Sequence, residues 1–202
     1  MKKINVISIM IMLLFCNVIS ANSIDNKNQH SNIEQKAENN VYEDWEVERY
    51  ENLVRYSTHG KVVHGHRFGW IKKAGNCDRD ILATSLSTQK ENKNRLYNFE
   101  GDSIDLRVNF PQAEDEDPAI INTDLVGVFD FATLKIAFFG NFVQGRMFDS
   151  LMAYFNTIKI EVTNPHKIYF DVPSDEFSLN GYVAAKLKAQ ELCEGIVKTT
   201  SL

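Results

Sequence analysis

SIDLRVNF, residues 103–110, places an apolar side chain at every even position and a polar one at every odd position. Successive side chains of an extended chain point to opposite faces, so this period of two is the mark of a half-buried strand. Ile158-Lys159-Ile160-Glu161-Val162-Thr163 repeats the pattern, and so does Ile168-Tyr169-Phe170-Asp171-Val172. Asn164-Pro165-His166-Lys167 between them carries turn chemistry and predicts a hairpin. Asp80 to Thr88 predicts a further strand. Leu125 to Phe139 is almost continuously apolar, with Asp130 and Lys135 its only charges, and predicts one or two central strands buried on both faces.

Two stretches change period. Met147, Phe148, Leu151, Met152 and Phe155 recur at helical spacing and predict an amphipathic helix over residues 146–156, its Met and Phe side chains turned to the core. A second helix is expected over 180–194, capped by Ser178 or Asn180, with Val183, Ala184, Leu187, Glu191 and Leu192 defining its sides and Gly195 stopping it. The fold class is therefore mainly β: an antiparallel sandwich or barrel-like domain with one or two covering helices, one of them C-terminal. Residues 43–197 form a single domain of about 150 residues, enough for a real core.

The N-terminal stretch points to export. Lys2 and Lys3 precede an apolar run from Val6 to Phe15, too short to span a bilayer, and small residues follow at Ala21-Asn22-Ser23. Residues 1–23 read as a secretory signal peptide rather than a membrane anchor. A lipid-attachment site at Leu13-Leu14-Phe15-Cys16 is disfavoured because Phe15 stands where a small residue belongs. Residues 24–42, rich in Asn, Gln, Lys and Glu, read as a flexible polar leader containing His30. No second long apolar segment follows, so the mature chain is expected to be soluble, without a stable membrane span, in the periplasm or outside the cell. There the pair left after cleavage, Cys77 and Cys193, is expected to form a disulfide. No nucleophile signature surrounds Asn76-Cys77-Asp78. The chain has 22 basic and 27 acidic residues; without Lys2 and Lys3 the balance is 20 to 27, which argues against nucleic acid and anionic membrane surfaces.

HGKVVHGHRFGW, residues 59–70, gathers three of the five histidines. Read as a strand over 61–71, it puts Val62, His64, His66, Phe68 and Trp70 on one face and Lys61, Val63, Gly65, Arg67 and Gly69 on the other. His64 and His66 then stand about 7 Å apart. They could share zinc or copper if His59, His166 or a carboxylate added a ligand, or each imidazole could simply satisfy a hydrogen bond at the core edge. Gly60, Gly65 and Gly69 mark a bend or a close approach of another backbone. Candidate binding residues are His64, His66, Arg67, Phe68 and Trp70. The acidic run Glu114-Asp115-Glu116-Asp117 lacks the spacing and glycine of a calcium loop and reads as solvated. No nucleophile elbow, phosphate loop or dinucleotide fingerprint occurs, and no catalytic residue is assigned.

Trp45-Glu46-Val47 opens the domain, and Phe177-Ser178-Leu179-Asn180-Gly181-Tyr182-Val183-Ala184-Ala185 closes it. On these dozen residues the chain resembles the invasion-associated locus B family of small exported bacterial envelope proteins. The resemblance implies a β-sandwich at the cell envelope, linked to host-cell interaction and without established catalysis. Arg49 and Tyr50 stand where the family pattern has a cysteine, and no functional residue is carried over. The leading expectation is a non-enzymatic binding module for a protein or envelope component. Two alternatives stand beside it. One is a metal-binding protein or metal-dependent hydrolase built on His64 and His66. The other is a small-ligand carrier whose pocket is formed by Phe68, Trp70 and the 125–139 segment. No cofactor is expected outside the metal reading.

Overall fold

The structure, a computed structural model, describes residues 40–89, 91–113 and 117–200, without the side chains of 91–94 and 197–200. The signal peptide, nearly all of the leader and Glu114–Glu116 lie outside the described residues. Eleven strands form one antiparallel sheet: β1 (Asn40–Tyr42), β2 (Trp45–Arg49), β3 (Leu53–His59), β4 (Arg67–Lys73), β5 (Asn76–Leu82), β6 (Thr84–Thr88), β7 (Ser103–Asn109), β8 (Ala119–Phe131), β9 (Leu134–Gly140), β10 (Thr157–Val162) and β11 (Ser174–Ser178). Their order is β1-β2-β3-β4-β6-β9-β8-β7-β10-β11, with β5 paired to β4 beside β6. The sheet curls into a sandwich-like domain without closing. Among the described residues two α-helices, α1 (Arg146–Tyr154) and α2 (Tyr182–Thr200), accompany it. Among the described residues no helix is long and apolar enough to cross a membrane.

The alternating stretch behaves as its pattern requires. Ile104, Leu106 and Val108 of β7 are buried while Ser103, Asp105 and Arg107 face solvent. The 125–139 segment is the β8–β9 hairpin, turning at Ala132, whose φ is 52°. Its two charges stand opposite one another, and Lys135 donates to Asp130 across the ladder. Burial there alternates along β8, so the hairpin is not apolar on both faces throughout. The 80–88 stretch is two strands, broken at Ala83, whose N–H donates to Gly69 O; both pair with β4.

Four expectations are corrected. Residues 168–172 do not form a strand. Lys167 N donates to Thr163 O and Phe170 N to Lys167 O, closing a 3-10 turn over His166–Tyr169. Tyr169 and Phe170 are drawn into the core against Phe99 and Phe139, and the partner of β10 is β11. The fold also begins earlier than residue 43: β1, within the leader, pairs with β2 from Asn40↔Val47 to Tyr42↔Trp45. At the other end, α2 starts at Tyr182, not 180. Ser178 instead closes β11, its hydroxyl donating to Asp44 and accepting from Asn180 N. Finally, Gly195 does not stop α2. A mid-helix glycine costs only about 1 kcal/mol, and Cys193 and Ile196 on either side of it are both buried.

Helix α2 lies over β1 to β5, sealing an aromatic core of Trp45, Tyr56, Phe68 and Trp70 with Tyr182. Trp45 and Tyr182 meet edge to face at 5.2 Å. The expected disulfide is present. Cys77 at the start of β5 is bonded to Cys193 near the end of α2, across 116 residues of chain and a Cα–Cα distance of 5.8 Å. Closing so long a loop restricts the unfolded chain by on the order of 4 kcal/mol. Replacing both cysteines by serine is therefore expected to lower the urea-unfolding free energy by about that amount. An unchanged midpoint and slope would contradict the tether.

Candidate functional site

The histidine stretch is two structures, not one strand. Strand β4 begins at Arg67, and residues 61–66 form a loop. Asp175 of β11 explains the boundary. Its carboxylate accepts from Val62 N (2.8 Å), Val63 N (2.9 Å) and Glu176 N (2.7 Å), so the donors a strand would use are already taken. The loop closes on itself through His66 N to Val63 O and Gly60 N to His66 O. A Cβ on Gly60 would overlap the Asp175 carboxylate, so only glycine fits that close approach.

Phe68, Trp70 and Lys72 then alternate inward along β4, and His66 just before it is buried on the same side. His66 Nδ1 lies 2.9 Å from Asp175 Oδ2, and Nε2 lies 3.4 Å from Ser87 O. Burial lowers its pKa, against the raising effects of Ser87 and Asp175. Phe68 packs on Trp45, Trp70 and Phe177, and Trp70 on Phe142 and Phe148. His66, Phe68 and Trp70 are thus core residues, and the binding role expected of them is corrected. The expected shared face also fails for His64, which is exposed on the loop with its ring stacked on His59. The arrangement does not bring His64 and His66 together as a metal pair, and His166 is seated against Phe99. Among the described residues no group of three or more His, Cys, Asp or Glu side chains is placed to hold a metal ion. Arg67 lies on the outer face as the alternation predicts. It donates to Ser57 and His59 and stands 3.5 Å from Glu46 and 3.9 Å from Glu48.

A second cluster was not singled out by sequence reasoning. At the far end of β4's inward face, Lys72 Nζ lies 2.8 Å from Asp80 Oδ1 and donates to Cys77 O at 2.9 Å. Tyr56 donates to the same Asp80 oxygen at 2.6 Å, and Lys186 of α2 stands 3.4 Å from the other. Lys186 and Tyr182 both donate to Asp149 of α1 at 2.6 Å, and Gln144 joins them. Burial, then Asp80, pushes the Tyr56 hydroxyl well up; burial, then Asp149, raises Tyr182. Burial raises the Asp149 carboxyl, but the bonds from Lys186 and Tyr182 outweigh it and leave it below the ordinary value. A signal for this cluster was present: Lys72 continues the even-numbered face of His66, Phe68 and Trp70 into the protein.

The cluster floors a cavity of about 270 Å³ between α1 and α2, lined by Lys72, Asp149, Ala153, Tyr182, Val183, Lys186, Leu187 and Gln190. Its rim is apolar and open. Leu187 is 68% exposed and Val183 49%. Leu187 and Val183 are one turn apart on α2, so they share a face. The arrangement offers apolar area around polar groups that are already paired with one another.

Two outcomes follow from these contacts. Asp175→Ala removes a buried carboxylate and orphans the donors of Val62 and Val63, so it should destabilise the fold by about 3 kcal/mol in urea unfolding. A loss below about 1 kcal/mol would contradict the role given to it. Asp149, whose folded carboxyl lies below its unfolded value, stabilises above the ordinary carboxylate range and loses that contribution as pH falls through the folded value. Asp149→Asn should therefore flatten the acid limb of a stability-against-pH curve below about pH 4. An identical acid limb would contradict the pairing.

No protein-family model matches the sequence, and no curated protein matches it. Among solved structures, the chain is similar to the crystal structure of invasion associated protein B from Bartonella henselae. The TM-score is 0.47 and the identity 12%, over 76% of this chain and 96% of that one.

Proposed function

We propose that this chain is an exported, non-enzymatic binding module that docks a protein partner of the cell envelope on the groove between α1 and α2. The observation that carries the reading is the pair of exposed apolar side chains, Val183 and Leu187, on the wall of a cavity whose floor charges are already matched. Soluble proteins seldom leave such side chains grouped without a use. Lys72 faces Asp80 and Lys186 faces Asp149, so a partner can cover the floor without stranding a charge. Export is supported by the Cys77–Cys193 disulfide, which forms and persists in oxidising compartments, and by the signal-like residues 1–23. The periplasm or the exterior is the compartment this implies.

The test is a pair of double variants compared with the wild type. Val183→Ser/Leu187→Ser is expected to weaken partner binding at least about tenfold, as loss of apolar contact at the centre of an interface does, with the melting temperature little changed. Val62→Ser/Ile120→Ser, which alters exposed apolar residues elsewhere, is expected to bind normally. Equal binding by all three proteins contradicts the groove. A wild-type protein that enriches no partner from envelope extract contradicts the function itself.

A further inference from the structure

Where β2 starts and β3 and β11 end, Asp44, Thr58, His59, Lys61 and Ser178 line a second hollow of about 320 Å³. Its charges differ from those of the α1–α2 groove in one respect. Asp44 brings a carboxylate and Lys61 an ammonium, and neither is met by an opposite charge among the described residues. Each is held by a hydroxyl instead. Ser178 donates to Asp44 Oδ2 at 2.6 Å, and Lys61 Nζ donates to Thr157 Oγ1 at 3.2 Å. Thr157 and Ser178 are directly opposed in the β10–β11 ladder, so one cross-strand pair positions both charges. The backbone adds to this, with Asp44 N donating to Asn180 O at 3.4 Å and Lys61 N to Glu176 O at 2.8 Å.

Bonding capacity is left over. The second carboxylate oxygen of Asp44 accepts nothing among the described residues, and Lys61 Nζ spends one of its three protons. Thr58 is the more telling group. It is 2% exposed, its hydroxyl has no partner among the described residues, and the hollow is the surface it lines. Buried hydroxyls are ordinarily satisfied within the protein. This one is open to a partner from the hollow alone. His59 offers no free polar atom, because its Nδ1 is engaged by His64 O and its Nε2 by Arg67, each at 3.1 Å. Its ring closes the hollow as a wall.

We propose that this hollow binds a small zwitterion, an α-amino acid, whose ammonium donates to Asp44 and whose carboxylate accepts from Lys61 and Thr58. Such a ligand matches both unpaired charges at once. A simple anion would face the Asp44 carboxylate, and a simple cation the Lys61 ammonium. The volume sits at the lower end of ligand pockets, about 300 Å³, and suits a molecule of this size. Ser178 and Thr157 hold the two charges before any ligand arrives, so binding has little ordering left to do. The site is separate from whatever docks between α1 and α2.

The experiment is a nuclear magnetic resonance titration of the full chain with L-alanine, following the resonances of Thr58, Lys61 and Ser178. Propionate and ethylamine are the comparison probes, each keeping one of the two charges. L-alanine is expected to shift these resonances and to bind at least about tenfold more tightly than either, the scale of one hydrogen bond to a charged group. Thr58→Val keeps the β-branched shape and removes the hydroxyl. It should weaken L-alanine binding severalfold with the melting temperature little changed. Lys61→Met alters an exposed position, leaves the core untouched and should weaken binding at least about tenfold. The proposal is overturned if L-alanine shifts none of these resonances, if propionate or ethylamine binds as tightly, or if either variant binds L-alanine as the wild type does.

Discussion

The carboxylate of Asp175 is the group on which the rest of the structure depends. A β-sheet that curls without closing leaves a last strand with one row of unpaired backbone groups. Here that strand is β11, and its open edge is occupied group by group. Glu176 O accepts from Lys61 N, and Ser178 O accepts from the Trp45 indole. Asp175 gathers the Val62 and Val63 donors together with His66. A carboxylate with no exposed surface would cost several kcal/mol if left unpartnered. The loop is therefore drawn to it rather than extended along β4.

That one choice propagates. With residues 61–66 committed to Asp175, β4 starts at Arg67, and the pleat carries Phe68, Trp70 and Lys72 inward. The two aromatic rings join Trp45, Tyr56 and Tyr182 in the core under α2. The ammonium of Lys72 arrives in a place with little water and is met by Asp80, Tyr56 and the Cys77 carbonyl. A buried ion pair adds little net stability, because desolvation offsets much of the attraction. Its effect is positional: Lys72, Asp80 and Lys186 set where α2 sits against β4 and β5. The disulfide holds the far end of the same helix. What remains between α1 and α2 is a groove with a paired polar floor and an apolar rim.

The strands that alternate cleanly, β7 and β10, were legible because one face of each meets the core and the other meets water. So was the disulfide, since Cys77 and Cys193 are the two cysteines left once residues 1–23 are read as a signal peptide. The 168–172 alternation misled because a 3-10 turn buries the adjacent Tyr169 and Phe170 and leaves Ile168 exposed, so the apolar spacing there does not mark one face of a strand. Gly195 misled because a tether and a buried Ile196 hold α2 through it. The 61–66 segment was misread for a different reason. Its conformation is imposed by Asp175, more than a hundred residues away, and no local pattern records that contact. The same distance hid the groove: Lys186 looks like an ordinary surface lysine until α2 brings it to Asp80 and Asp149.

The reading of that groove as a docking surface is tested most directly by site-specific photo-crosslinking in cells that make the protein. A photoreactive side chain would be placed in turn at Val183, at Leu187 and, away from the groove, at Ile120. The account predicts one protein captured in common from Val183 and Leu187 and absent from Ile120. Capture of the same protein from all three positions, or none from the two groove positions, would contradict it.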